Sequence, residues 1–184
     1  MIYPGTLNWH QGVDIALRAF SIVSRQAPNA EFHIWGDGGE RANLQRLVHQ
    51  LGLDDRVFFK GHVDLDQIAD VMGNADLGLV PKRDDAFGGE AFSTKILEFM
   101  ALGIPVIVSR TKIDNYYFND SVVQFFRAED ETDLAESMLL LLRDKDRREY
   151  LVANASKFME GFTWDNRKEE YLKLVDSLTP HPDH

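Results

Sequence analysis

Two hydrophobic rhythms alternate along this chain. Short β-branched or aromatic runs predict strands at Ile2 to Leu7, Phe32 to Trp35, Val57 to Lys60, Leu77 to Val80, Val106 to Val108 and Val122 to Phe126. Between them, apolar residues return every three or four positions, as an amphipathic helix requires. Gly12 to Gln26 carries Val13, Leu17, Phe20 and Val23 on one face and is closed by Pro28; Glu40 to Leu51 carries Leu44, Leu47 and Val48. Asp66 to Gly73 and Ile96 to Met100 are shorter helices. Pro4 and Gly5 interrupt the first strand, which places it at the edge or entry of a sheet.

Strands separated by helices imply a parallel, doubly wound sheet with right-handed crossovers, and ligands of such sheets sit beyond the carboxyl ends of the strands. The glycine-bearing loops at Gly36 to Gly39 and at Gly88 fall there. After Arg127 the alternation stops. Helices are expected over Asp130 to Arg143, begun by Asp130 or Thr132, then Lys145 to Met159 and Arg167 to Leu178. This tail should close the sheet on one side, and the terminal TPHPDH should be unstructured.

The densest chemistry lies in Phe87 to Ser109, FGGEAFSTKILEFMALGIPVIVS, which reads as loop, short helix, glycine stop and buried strand. Ser93 is placed to cap the helix by accepting a first-turn amide, leaving others free. Free amides at a helix N-terminus attract phosphate. Glu90 and Glu98 bracket the turn, with seven residues between them. By spacing alone they are equally a solvated loop glutamate and a helix glutamate paired with Lys95.

Composition narrows the partners. A chain of 184 residues, 44% hydrophobic, is sized for one well-buried domain. A net charge of -10 argues against nucleic acid and against an anionic membrane surface. Without cysteine there are no disulfides or thiolate metal sites, which is compatible with a reducing cytoplasm. No apolar run approaches a membrane span, and no signal peptide is visible.

The E-x7-E arrangement followed by FMALGIPVIVS resembles the sugar-nucleotide site of retaining GT-B glycosyltransferases of family 4, whose wording is close to E-x-F-G-x-x-x-x-E-A-M-A-x-G-x-P-V. The likeness runs from YPGTL near the start to FTW near the end. It implies the C-terminal, donor-binding half of such an enzyme: residues 1–179 as a Rossmann-like nucleotide-sugar domain, 180–184 as a disordered tail, and an acceptor-binding N-terminal domain outside this chain. By position, Glu98 would grip the ribose hydroxyls and Glu90, the one catalytic-site residue implied, the hydroxyls of the transferred sugar. The backbone of Phe92, Ser93, Thr94 and Lys95 would hold the diphosphate, with Ser93 standing where the family has glycine.

Other stretches keep two readings. In Gly36-Asp37-Gly38-Gly39 the resemblance implies a loop close to the donor, through Gly36 and Gly38, while a plain tight turn explains the same glycines. Gly61, His62 and Val63 correspond to backbone presented to the base, yet His62 is equally a surface residue. Asp64-Leu65-Asp66 mimics a metal-binding DxD but sits at a helix start, where Asp64 and Gln67 make a capping box. No metal and no cofactor is expected; the partner is a nucleotide-diphosphate sugar, and the setting cytoplasmic.

One departure matters most. Family members carry G-R and, five residues later, K-G, two cations that neutralise the leaving diphosphate. Here those places are Thr6 and Gln11. Fixed charges at a leaving group are worth several kcal/mol, so either Lys82, Arg83 or Lys95 compensates, or the protein is a non-catalytic relative serving as a binding or scaffold subunit. A sugar-nucleotide epimerase shares the fold and is a third possibility.

Overall fold

The computed structural model describes residues 1–162 and 164–178. In chain order the elements are β1 (Ile2–Pro4), a 3-10 turn (Trp9–Gln11), α1 (Val13–Gln26), β2 (Phe32–Trp35), α2 (Arg41–Gln50), β3 (Val57–Gly61), α3 (Leu65–Gly73), β4 (Gly78–Val80), α4 (Thr94–Ala101) and β5 (Val106–Ser109). They continue with α5 (Lys112–Tyr117), β6 (Gln124–Phe126), α6 (Glu131–Arg143), α7 (Lys145–Glu160) and α8 (Trp164–Leu178). The strands form one six-stranded sheet in the order β3-β2-β1-β4-β5-β6, and every pairing is parallel. This is the doubly wound α/β architecture, and its topological switch point lies between β1 and β4.

The first strand is therefore central, not at an edge. Amides along β1 point alternately to its two neighbours: Ile2 donates to Leu77 beside β4, and Gly5 to Trp35 beside β2. The missing N–H of Pro4 faces the β4 side, where pairing ends at Ile2 and Gly78. Proline thus costs no ladder bond and instead turns the chain into the loop beyond.

Each sheet face carries its own core. Val13, Leu17, Phe20 and Val23 of α1, with Leu44, Leu47 and Val48 of α2, pack with Tyr3, Ile34, Leu79 and Ile107. On the opposite face, Met72, Ile96, Phe99 and Met100 pack with Ile2, Val80, Val106 and Val108. The helical tail is divided between them, contrary to the single side expected. Leu134, Met138 and Leu141 of α6, with Leu151 of α7, join the first core, and Ala155 of α7 joins the second, so α7 reaches both.

Asp130 starts α6, its carboxylate accepting the amides of Thr132 and Asp133 at 3.0 and 2.9 Å. The capping box expected at Asp64 does not form: that side chain makes no capping bond, and the Gln67 amide donates to the Asp64 backbone carbonyl instead. The helix α5 has no counterpart among the expected elements. The disordered end expected at 180–184 lies outside the described residues. Among those described, no helix is long and apolar enough to cross a membrane.

Candidate functional site

Where β1 and β4 part, the switch point at which such sheets form their ligand crevice is flanked by two loops, residues 5–12 after β1 and residues 81–93 after β4. Three cations of the second loop and of α4 approach it, and the structure separates their roles. Arg83 is spent on architecture. Its guanidinium forms a fork with Asp14 at 2.9 and 2.7 Å, donates to the Trp9 carbonyl at 2.6 Å and lies over the Trp9 ring at 4.2 Å. Such a bidentate, stacked guanidinium fixes geometry and is not available to a ligand. Lys82 is buried, 2.9 Å from Asp114 Oδ2, and donates to the Ala91 carbonyl at 2.6 Å.

Lys95 differs from both. Its half-buried ammonium lies 3.4 Å from Gln11 Oε1 and 5.5 Å from the centre of the Tyr3 ring. The Tyr3 hydroxyl is 2.8 Å from the Thr6 carbonyl and 3.2 Å from the same Gln11 oxygen. Positions 6, 11 and 95 thus meet around one phenol. Burial pushes the Lys95 pKa down, partly countered by Glu98, while repulsion from Lys82 adds to the lowering. Burial pushes the Tyr3 phenol well above its ordinary range, so it stays a neutral donor.

Ser93 stands at the N-cap of α4 with extended backbone, but its hydroxyl makes no capping bond. The Oγ is buried and without a hydrogen-bond partner, in a residue only 8% exposed. The expected cap is therefore absent, and a buried hydroxyl left unpaired carries a desolvation cost. Helix geometry also leaves the Thr94 and Lys95 amides without intrahelical acceptors, while the Ile96 amide donates to the Ser93 carbonyl at 3.2 Å. Thr94 and Phe92 are exposed, Phe92 packing edge-on against Tyr117 at 5.0 Å.

Glu98 is exposed one turn into α4 and forms no ion pair with Lys95, although their charges interact. Glu90 is exposed but engaged: its Oε1 accepts from Lys112 at 2.6 Å. Gly36 and Gly38 lie back to back with the loop after β1, where a Cβ would overlap the carbonyls of Gly5 and Leu7 respectively. Their glycines are explained by this close approach of two backbones at the crevice wall, not by a turn alone. Gly61, His62 and Val63 leave β3, the far edge strand; what ties them to the crevice is the Gly36 amide, which donates to the Gly61 carbonyl at 2.6 Å. His62 itself is exposed.

Sequence reasoning missed the support supplied by α5. Thr111 caps this helix through the Asp114 amide, Asp114 holds Lys82, and the Ile113 amide donates to the Gly89 carbonyl at 3.1 Å. Together with Lys112 on Glu90, α5 grips the loop from both ends. Only the carboxylate of Asp114 and its offset from Thr111 hint at this in the sequence. Among the described residues no group of three or more acidic, histidine or cysteine side chains is arranged to hold a metal ion.

A parallel sheet whose switch point is walled by glycine loops and faced by a helix N-terminus defines a Rossmann-like α/β domain, and its structural neighbours are the C-terminal domains of GT-B glycosyltransferases. Over 96% of this chain it superimposes on 48% of Anabaena HepE, solved in complex with UDP, with a TM-score of 0.85 at 20% identity. Over 86% of this chain it matches 83% of the C-terminal domain of a group 1 glycosyl transferase from Francisella tularensis, TM-score 0.76 at 17% identity. Residues 1–158 match the family described as Glycosyl transferases group 1, and the chain belongs to that family. Among curated relatives, an uncharacterised glycosyltransferase of Methanocaldococcus jannaschii is 32% identical over 95% of this chain and 44% of its own length. The gpi3 subunit of the Schizosaccharomyces pombe phosphatidylinositol N-acetylglucosaminyltransferase is 27% identical over 94% of this chain and 37% of its own length. The chain thus spans less than half the length of these relatives.

Proposed function

We propose that this chain is the donor-binding half of a retaining, hexosyltransferase-type enzyme that moves a sugar from a nucleotide-diphosphate sugar to an acceptor held by a separate N-terminal domain. The observation that carries the reading is the buried, unpartnered Ser93 hydroxyl at the N-terminus of α4, beside the Thr94 and Lys95 amides, which helix geometry leaves without intrahelical acceptors. A diphosphate satisfies both at once. The HepE structures with UDP and with UDP-glucose support a donor of this class.

In this reading the backbone of residues 92–95 holds the diphosphate, Glu98 accepts from the ribose hydroxyls, and Glu90 exchanges Lys112 for hydroxyls of the transferred sugar. Gly36 and Gly38 let the donor approach the wall of the crevice, and Gly61 to Val63 offer backbone groups to the base. No side chain acts as nucleophile; the leaving phosphate takes the acceptor proton, so that the bond to the anomeric carbon breaks and forms on one face. No metal takes part, the setting is cytoplasmic, and the domain by itself, with half the cleft, turns over no donor.

Calorimetric titration with UDP, GDP, ADP and TDP tests this. One nucleotide should bind without added metal, and Glu98→Ala should weaken it about tenfold or more while leaving thermal unfolding unchanged. Equal affinity in the variant removes Glu98 from the ribose. A second reading, a non-catalytic scaffold relative, is favoured by the uncharged Thr6 and Gln11; it predicts no binding even at millimolar nucleotide.

A further inference from the structure

Positions 6 and 11 of the loop after β1 are uncharged, yet positive charge lies beside that loop. Of the three cations of the second loop and of α4, Arg83 is saturated by Asp14 and Trp9, and Lys82 by Asp114 and the Ala91 carbonyl. Lys95 has no carboxylate in ion-pair contact among the described residues. An ammonium has three N–H donors, and those of Lys95 meet Gln11 Oε1 and the Tyr3 π-face. Withdrawing an unpaired ammonium from water is unfavourable. Its lowered pKa records that cost.

The position is informative as well. A Cβ on Gly5 would sit 3.0 Å from Lys95 Nζ, so the ammonium lies directly against the loop after β1. Gln11 Oε1, on that loop, is the side-chain acceptor that faces it. Resting on the donor-site reading, we infer that the Lys95 ammonium, steered by Gln11 and the Tyr3 ring, is the cation that neutralises the leaving diphosphate, approaching it from α4. Gln11 and Tyr3 are positioning residues: an amide oxygen and a ring face orient an ammonium without neutralising it, so its charge remains available to the ligand.

The test is a swap of charge between the two elements. Affinities of the best-binding nucleoside diphosphate and of its parent nucleoside are measured for the wild-type chain and for Lys95→Met, Lys95→Arg, Glu98→Ala and Lys95→Met/Gln11→Lys. The inference expects Lys95→Met to lose roughly tenfold or more in diphosphate affinity, to lose salt dependence with it, and to leave nucleoside affinity unchanged. Lys95→Arg should retain most of the affinity, and Gln11→Lys should restore part of what Lys95→Met loses. Rescue also excludes misfolding as the cause. Diphosphate affinity unchanged in Lys95→Met, with Glu98→Ala still impaired, overturns the inference and leaves the donor site standing. No nucleotide binding by the wild-type chain overturns both.

Discussion

Lys82 and Asp114 form an ion pair of 2.9 Å with both side chains buried, Asp114 completely so. The pair joins the loop after β4 to α5, and it is incompletely satisfied: Asp114 Oδ1 has no hydrogen-bond partner, while Oδ2 also accepts from the Thr111 hydroxyl at 2.7 Å. Burial pushes the Asp114 carboxyl above its ordinary range, and Lys82 is the principal influence opposing that rise.

Removing one partner alone should therefore be costly. Lys82→Met strands a buried carboxylate, and about 3–5 kcal/mol of stability should be lost. In that variant the folded-state pKa of Asp114 climbs further above its unfolded value, so protonation favours the folded form. The deficit relative to wild type is then largest above that pKa and shrinks as pH falls through it. Lys82→Met/Asp114→Asn should recover much of the loss. Denaturant unfolding across pH checks this, and a double variant no better than the single one contradicts it.

Glu90 and Lys112 present the opposite case, a short but exposed pair. Such pairs contribute little to stability, and Lys112→Ala should leave the melting temperature unchanged. Its effect should appear in the ligand. If Glu90 must leave Lys112 to reach the sugar, Lys112→Ala raises affinity for a nucleotide sugar a few-fold relative to the plain nucleotide, and Glu90→Gln lowers the same ratio. A ratio identical in all three proteins removes Glu90 from the sugar.

How much of this is legible in the sequence depends on where each interaction is encoded. The α1 stripe of Val13, Leu17, Phe20 and Val23 is local periodicity, and all four residues are buried. The spacing of Glu90 and Glu98 is likewise written along the chain. The central place of β1 is not, because a proline disfavours an inner strand unless the ladder has already ended on its side, a fact of pairing with β4. The short α5, KIDNYY, has one aliphatic residue and no periodicity to read; its anchor is the Asp114 carboxylate, whose partner lies on another element. Lys95 is visible as a residue, but its environment depends on Gln11, 84 positions away.

Gly36 separates backbone necessity from loop flexibility. Its φ is 129°, and a Cβ there would overlap the Gly5 carbonyl. Gly36→Ala should destabilise by more than about 1 kcal/mol and, by displacing the loop after β1, also weaken nucleotide binding. Gly52 has a φ of 66°, and a Cβ there would meet nothing within 4 Å, so Gly52→Ala should carry only the conformational cost and leave binding intact. Thermal unfolding with calorimetry on both variants distinguishes the two effects.

The pH dependence of binding follows from Lys95. Its pKa is lowered by burial, with Glu98 opposing and Lys82 reinforcing the shift; Tyr3, the other titratable group against it, has a raised pKa and stays neutral. Above about pH 8 a terminal phosphate is fully ionised, so the ligand contributes no further change. If the ammonium meets the diphosphate, affinity is full below the Lys95 pKa and falls as pH rises through it, at lower pH than an ordinary lysine would allow. Binding in turn raises that pKa, so a proton is taken up on complex formation, measurable as a dependence of the binding heat on buffer ionisation enthalpy. Lys95→Arg, whose charge persists throughout, should abolish both the fall in affinity and the proton uptake. A pH profile and proton uptake that survive this replacement would place the titrating group elsewhere and exclude Lys95 as the diphosphate cation.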